Sequence, residues 1–142
     1  MLSPSIGYRA GYKYQLAETY IHHFSTSYFT PFNAEIKDFI RFTGKTLTIF
    51  SGYAWDGPSG PTIDTKNFMR GSLVHDALYQ LMREGYLNPD FARKWADDIL
   101  RDICLEDGMS RLRAWWVYKG VRIFGKSSAL SSNISHPIQR AP

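Results

Sequence analysis

The chain has 142 residues, close to the usual size of one domain, so we expect a single folded domain with ragged ends. Hydrophobic residues make up 44% of it and charged residues 21%, which excludes disorder over most of its length. The formal net charge of +4 is modest, and nucleic acid is not an expected partner. Cys104 is the only cysteine, which excludes an intramolecular disulfide and a cysteine-based zinc site and favours a reducing compartment.

The sequence carries no visible targeting segment. Met1 to Gly7 lacks the uninterrupted apolar stretch of a signal peptide. Nowhere do about eighteen apolar residues follow one another, as a membrane-spanning helix requires. We therefore expect neither an export signal nor a transmembrane segment.

The N-terminal half has the alternation of β-strands. From Tyr12 to Tyr20, aromatic and apolar residues fall at alternate positions, which predicts a half-buried strand. Ile40–Phe42 and Thr46–Phe50 flank the short turn Thr43-Gly44-Lys45, a pattern typical of a β-hairpin. Ser51 to Pro61 is too rich in glycine and proline for a regular element and is expected to be a shaped loop.

The C-terminal half is predicted to be helical. Gly85 suits a helix C-terminus, and the pair Asn88-Pro89 is typical of a helix start. The expected helices are Gly71–Arg83, Pro89–Glu106 and, after an N-cap at Ser110, a third that ends at about Phe124. Apolar residues recur at helical spacing in the three segments, as Leu73, Val74, Ala77, Leu78 and Leu81, then Phe91, Trp95, Ala96, Ile99 and Ile103, then Leu112, Trp116, Gly120 and Ile123.

These elements predict an α+β fold. A small antiparallel sheet in the N-terminal half is expected to pack on a three-helix C-terminal half that contains an αα-hairpin. The domain is expected to cover residues 1–126, and the Ser- and Pro-containing residues 127–142 are expected to form a flexible tail.

A histidine and two carboxylates are expected to meet across the αα-hairpin. Because the first two helices are joined by a short link, His75 on the first is level with Asp97 and Asp98 on the second. A neutral imidazole whose tautomer is fixed by a carboxylate can act as a general base. A helical wheel places Asp98 nearer the buried face, and both aspartates remain candidates for the partner of His75.

A cation site is predicted beside this pair. Asp76 follows His75 and points elsewhere, toward the glycine-rich loop, where Asp56 or Asp64 can supply a second carboxylate. A loop that turns sharply at Gly57 can aim backbone carbonyls inward, as calcium prefers. Calcium is the expected ion, and zinc fits less well. Alternatively, each of these residues only caps a loop or solvates a helix.

Aromatic and basic residues are interleaved near the C-terminal end. A solvated helix face and a surface that contacts phosphates of lipid or nucleic acid are both consistent with the basic residues, and the aromatic ones suit either the core or a membrane interface. The residues are Arg111, Arg113, Trp115, Trp116, Tyr118, Lys119, Arg122, Phe124 and Lys126.

The runs DGPSGP (56–61), LVHDALY (73–79), RKWADDIL (93–100) and VYKGVRIFG (117–125) resemble a family of phages and prophages known as domain of unknown function 1353. The resemblance favours Asp97 over Asp98 and implies a location in the host cytoplasm or the virion. Thr62 departs from the family, where a basic residue usually follows the proline. The shared positions it implies are Asp56, Ser59, Pro61, His75, Asp76, Tyr79, Arg93 and Asp97.

A second resemblance concerns His75-Asp76-Ala77-Leu78-Tyr79, which is similar to the His-Asp-x-Cys-Tyr helix of secreted phospholipases A2. It implies that His75 activates water, Asp97 orients it, Tyr79 supplies a positioning hydroxyl and Asp76 binds calcium. Ser59, Gly57, Arg93 and Asp98 would support the site. The cysteines of those enzymes are absent here, and the helices are closer in sequence. The expected function is metal-dependent hydrolysis of lipid acyl esters; the alternative is a non-catalytic virion or tail-assembly component with virion proteins as partners.

Overall fold

A computed structural model describes residue 6 and residues 8–9, 14–25, 33–55 and 66–130. Strands occupy the N-terminal half and helices the C-terminal half, which confirms the α+β class. The chain divides into a strand unit within residues 4–56 and a helical unit within residues 57–137. The expectation of a single domain stays a prediction.

The described part of the strand unit contains two antiparallel sheets where the sequence predicted one. The first has the order β1-β2-β7, and the second has the order β3-β6-β5-β4. Neighbouring strands in both sheets are antiparallel. The strands are β1 (Tyr8–Arg9), β2 (Tyr14–Leu16), β3 (Tyr20–His23), β4 (Ala34–Ile36), β5 (Ile40–Phe42), β6 (Thr46–Ile49) and β7 (Ala54–Trp55).

The predicted β-hairpin is confirmed by the pairing of β5 with β6. Phe42 lies opposite Leu47, and Ile40 lies opposite Ile49. All four side chains are fully buried, because alternate residues of a strand point to the same face. Gly44 in the turn has φ +87°, a conformation that glycine adopts without steric cost.

The prediction of one strand from Tyr12 to Tyr20 is wrong. β2 ends at Leu16 and belongs to the first sheet, whereas β3 starts at Tyr20 and belongs to the second. Both Leu16 and Tyr20 are buried, so the alternation in the sequence reflects inward-facing residues of two successive strands. Thr19 lies between them, and its hydroxyl accepts a hydrogen bond from the Ser51 amide at 3.1 Å.

The helical unit contains α1 (Lys66–Arg83), α2 (Pro89–Glu106) and α3 (Arg111–Phe124). α2 and α3 have the predicted bounds, and α1 starts five residues before the predicted Gly71, because Phe68 and Met69 extend its buried face. A 3-10 turn at Ser127–Ala129 follows, where Arg83 donates to the Ser128 carbonyl at 2.9 Å. Among the described residues, no helix is long and apolar enough to cross a membrane.

The helix ends have the predicted capping residues. The Asn88 side chain accepts a hydrogen bond from the Asp90 amide at 3.0 Å at the start of α2. The Ser110 hydroxyl accepts one from the Arg113 amide at 3.2 Å at the start of α3. Gly85, after α1, has φ +85°, as expected for a glycine that ends a helix. The short α1–α2 link makes these helices neighbours.

The buried face of α2 differs from the predicted one. Phe91, the first residue of the predicted stripe, is 73% exposed. Trp95 and Ile99 are half-buried, and the prediction is confirmed for Ala96 and Ile103. The buried stripe consists of Ala92, Ala96, Asp97, Leu100, Ile103 and Cys104. Small residues face α1 because the helices approach closely: a Cβ on Gly71 would lie 3.0 Å from both Cys104 Sγ and Leu100 Cδ1. The face of α2 that packs on α1 is therefore rotated relative to the predicted face, and Asp97 lies on it.

A candidate active site where three helices meet

Asp97 is the centre of a polar cluster and is 0% exposed. Its Oδ1 atom lies 2.7 Å from His75 Nε2 and accepts a hydrogen bond from the Tyr79 hydroxyl at 2.6 Å. His75 and Tyr79 are one helical turn apart on α1, and their ring centroids are 4.1 Å apart. One carboxylate oxygen therefore holds both the imidazole and the phenol.

The second oxygen of Asp97 faces two arginines. Arg122 of α3 donates to Oδ2 from Nη1 at 2.9 Å, and Nη2 of Arg93 lies 3.7 Å from the same atom. Arg93 also donates to the Val121 and Arg122 carbonyls at 3.0 and 2.7 Å. These are carbonyls of the last turn of α3, where a cation is favourable. The cluster thus joins all three helices.

The donors around Asp97 set its charge state. Burial raises the pKa of this carboxyl, but hydrogen bonds from His75 and Tyr79, the charge of His75 and the Arg122 hydrogen bond outweigh burial, so the pKa is lowered from its ordinary value. Burial and the neighbouring carboxylate raise the pKa of Tyr79, although Arg93 opposes this. Asp97 is therefore the ionised member of the cluster, and Tyr79 is a neutral donor.

His75 lies between two carboxylates. Its Nδ1 atom, on the side of the ring opposite Asp97, is 3.9 Å from Oδ1 of Asp76. Burial lowers the pKa of His75, but the nearby carboxylate of Asp76 and the hydrogen-bonded carboxylate of Asp97 together raise it above its ordinary value. The side chain of His75 is 10% exposed and that of Asp76 is 35% exposed, so Nδ1 faces a partly exposed carboxylate.

The position of Tyr79 is fixed from two further directions. Nε of Arg93 donates to its hydroxyl at 3.1 Å. Gly125, just after α3, packs against the ring: a Cβ there would lie 2.8 Å from the Tyr79 hydroxyl oxygen and 2.5 Å from the Val121 carbonyl. Only a residue without a side chain fits this contact.

The structure shows which of the two aspartates of α2 contacts His75. Asp98 does not contact His75; its Oδ2 accepts from Lys94 at 2.9 Å, and its Oδ1 is 4.0 Å from Arg101 Nη1. The helical wheel that placed Asp98 nearer the buried face is therefore wrong, since the packed face of α2 is rotated toward Asp97. Of the two α2 residues predicted to support the site, Arg93 contacts Tyr79 and lies near Asp97, and Asp98 pairs with Lys94.

Most of the predicted cation site is not among the described residues. Asp56, Gly57, Ser59, Pro61 and Asp64 lie outside the described residues. Within the described part, no three His, Cys, Asp or Glu side chains are grouped so as to hold a metal ion. Of the predicted cation ligands, Asp76 belongs to the described residues.

Arg122 is the site residue that sequence reasoning missed, because it was grouped with the surface basic residues. The sequence nevertheless contains a signal for the position of Arg122. The link between α2 and α3 is as short as that between α1 and α2, so residues at matching distances from the two helix ends should be level. This reasoning places Gly120 level with Asp97 and Arg122 two residues, about 3 Å, further along α3, within reach of a long side chain.

A family model with the description "Protein of unknown function (DUF1353)" matches residues 37–121, more than half of the chain. The chain belongs to this family. The DUF1353 segment includes α1, α2 and most of α3, and therefore His75, Tyr79, Arg93 and Asp97; Arg122 lies one residue beyond it. Comparison with curated proteins gave no match, and comparison with solved structures gave none.

Proposed function

We propose that this protein is a hydrolase of acyl esters in which His75 activates water. The observation that carries the proposal is the shared oxygen of Asp97, which lies 2.7 Å from His75 Nε2 and 2.6 Å from the Tyr79 hydroxyl. A histidine held on one nitrogen by a buried carboxylate, with its other nitrogen beside a partly exposed carboxylate, is arranged as a general base.

The proposed chemistry uses the two ring nitrogens separately. Asp97 accepts a hydrogen bond from Nε2–H, which leaves the lone pair on Nδ1 to take a proton from water. The water oxygen attacks the ester carbonyl, and the imidazolium then returns a proton to the departing alkoxide. The products are a carboxylic acid and an alcohol. Tyr79, Arg93 and Arg122 keep Asp97 ionised and fixed, which stabilises the imidazolium.

A divalent cation beside His75 is part of the proposal. Asp76 fits a hard cation by the chemistry of its donor atoms, since its carboxylate is partly exposed and lies on the Nδ1 side of His75. A bound calcium ion would polarise the ester carbonyl and stabilise the negative charge that develops on its oxygen. Calcium is the proposed ion, and zinc is less favoured.

The proposed substrate class is a lipid acyl ester, and the proposed location is the host cytoplasm or a phage virion. The substrate class is proposed from the likeness of the His-Asp-x-x-Tyr pattern in α1 to that of phospholipases A2. The location is proposed from the family resemblance. The geometry of the cluster supports His75 as the base.

The test is release of fatty acid from phosphatidylglycerol vesicles with calcium, with zinc or with chelator. His75→Gln should reduce the rate by roughly 10²- to 10⁴-fold, the usual contribution of a general base. Asp102→Asn is the matched control, because Asp102 is an exposed carboxylate on the same helix as Asp97. Wild-type protein that releases no fatty acid under any of these conditions, or an equally active His75→Gln, contradicts the proposal.

The cation is tested separately by calorimetric titration with calcium and with zinc. We expect one ion to bind the parent, with calcium preferred, and Asp76→Asn to bind at least tenfold more weakly. His75→Ala should retain binding, since the imidazole is proposed as the base and not as a ligand. If neither ion binds, the cation is removed from the proposal. The hydrolysis assay then tests His75 and Asp97 alone.

One observation favours the alternative, a non-catalytic virion or assembly component. Asp97 receives donors from α1, from Arg93 within α2 and from α3, which is the arrangement of a buried contact that holds helices together. Under this alternative, the protein co-purifies with intact particles and His75→Gln assembles as the parent does. Hydrolysis by the purified parent that depends on His75 would exclude a purely structural function.

A further inference from the structure

The outward face of α3 is apolar and exposed. Leu112, Trp116 and Ile123 follow one another at helical spacing on one side of the helix. The opposite side carries buried Ala114, with Val117 and Val121 packed against the core of the helical unit. The exposed fractions are 68% for Leu112, 47% for Trp115, 63% for Trp116, 65% for Ile123 and 78% for Phe124.

Such a grouping is unusual for a surface helix. Single exposed apolar residues are common, but large apolar side chains gathered on one helix face usually mark an interaction site. Here the residues that point away from the core are larger than Ala114, Val117 and Val121, which point toward it. Core packing, one of the two expectations for these aromatic residues, is therefore wrong for Trp116 and Phe124.

The same face is positively charged. Arg111 and Lys119 are exposed on α3, and exposed Lys126 follows it. Lys119 Nζ lies 5.7 Å from the centre of the Trp115 ring. The sequence contains no Asp or Glu after Asp107. A ligand for this face must offer an apolar interior together with negative charges around it.

We infer that the outward face of α3 binds the surface of an anionic lipid bilayer, with Leu112, Trp115, Trp116, Ile123 and Phe124 in the interface and Arg111, Lys119 and Lys126 at the headgroups. Tryptophan and lysine are favoured at the boundary between headgroups and acyl chains, and basic side chains attract anionic lipid. The inference does not depend on ester hydrolysis, because it uses no residue of the His75–Asp97 cluster.

Charge and side-chain chemistry favour the bilayer over other occupants. A symmetric contact between two copies of α3 would bring Lys119 and Arg111 of one copy near the like charges of the other. Nucleic acid would pair with the basic residues and stack on the indoles but would leave aliphatic Leu112 and Ile123 without apolar partners.

The test uses the full chain with vesicles of phosphatidylcholine alone or mixed with phosphatidylglycerol, read out by co-sedimentation and by tryptophan emission. We expect binding to the anionic vesicles that weakens with salt, together with a blue shift of the emission. Lys119→Glu/Lys126→Glu should weaken binding by at least roughly tenfold. Lys37→Glu/Lys45→Glu makes the same change in net charge at exposed positions of the strand unit and should bind as the parent does.

The apolar contribution is tested by Leu112→Ser/Ile123→Ser, which should also reduce binding, whereas Ile21→Ser, at an exposed isoleucine of β3, should not. His75→Gln should bind vesicles like the parent, so a failure of hydrolysis is distinguished from a failure of binding. Four results would overturn the inference: no binding to anionic vesicles, equal binding by the α3 variants, tighter binding to an oligonucleotide than to vesicles, or a dimer that the α3 variants abolish.

Discussion

The guanidinium of Arg122 donates to Oδ2 of Asp97 at 2.9 Å and so ties the last turn of α3 to the middle of α2. The other oxygen of the same carboxylate is held by His75 and Tyr79 of α1. The stability of the helical unit and the proposed chemistry therefore depend on one buried side chain, and variants of its surroundings separate the two.

Removal of the Asp97 charge should destabilise the protein strongly. In Asp97→Asn, the guanidinium groups of Arg93 and Arg122, which are 13% and 30% exposed, lose their anionic partner. Loss of one member of a fully buried ion pair costs about 3–5 kcal/mol, and we expect a cost at the lower end of this range because the arginines are partly exposed. Denaturation in urea, followed by far-ultraviolet circular dichroism, measures the free energy of unfolding. Asp98→Asn is the control, because Asp98 bonds to exposed Lys94 and should change stability little. Equal effects of the two variants would contradict the central position of Asp97.

Gly125 and Gly120 should respond in opposite directions to alanine. A Cβ at Gly125 would lie 2.5 Å from the Val121 carbonyl and 2.8 Å from the Tyr79 hydroxyl oxygen, so Gly125→Ala should cost about 1–3 kcal/mol through overpacking. A Cβ at Gly120 meets nothing within 4 Å, and alanine in a helix interior should stabilise by about 0.5–1 kcal/mol. Thermal melts of the two variants measure this difference; a stabilising Gly125→Ala would show that Tyr79 is not held as described.

Stability should fall in acid because of Asp97. Its folded-state pKa is lowered, so its contribution is present above the ordinary carboxyl pKa of about 3.9 and is lost as the pH falls toward the lower folded-state value. The charged and titratable groups that face it are His75 and Tyr79 on α1, Arg93 on α2 and Arg122 on α3. Urea denaturation between pH 6 and pH 2 should show a smaller loss in Asp97→Asn than in the parent. Parallel losses in the two proteins would assign the acid sensitivity to other groups.

Tyr79→Phe should separate positioning from proton transfer. The ring contact with His75 is retained, but the 2.6 Å hydrogen bond to Asp97 is lost, which should cost about 1.5–3 kcal/mol of stability because the acceptor is charged. If the proposed hydrolysis occurs, its rate should fall less in this variant than in His75→Gln. A pH–rate profile identifies the change, since loss of a positioning hydroxyl leaves the general base in place. A Tyr79→Phe rate as low as that of His75→Gln would contradict this division.

The sequence was sufficient for the helices because local signals determine where they begin and end. Asn88, Pro89 and Ser110 mark helix starts by satisfying or removing unpaired amides, and Gly85 marks an end by its positive φ. The hairpin of β5 and β6 is similarly local. In contrast, the assignment of β2 and β3 to different sheets depends on pairing with β7 and β6, which lie far along the chain.

The site was predicted in part. The short helix connection correctly placed His75 level with the two aspartates of α2. The choice between them depended on the rotation of α2, which is set by packing: close approach at Gly71 selects small residues such as Ala96 for the contact and turns Phe91 outward. A helical wheel weighs hydrophobicity but not the distance between helices, and it therefore favoured Asp98.

The hydrogen bonds that Asp97 accepts should determine how the three helices open. If α1 detached alone, Asp97 would lose the contacts with His75 and Tyr79, and if α3 detached alone it would lose the contact with Arg122, so each partial opening would be costly. The three helices should therefore open together as one cooperative unit, without fraying in succession. Native-state hydrogen exchange should then give the amides around His75, Asp97 and Val121 similar opening free energies.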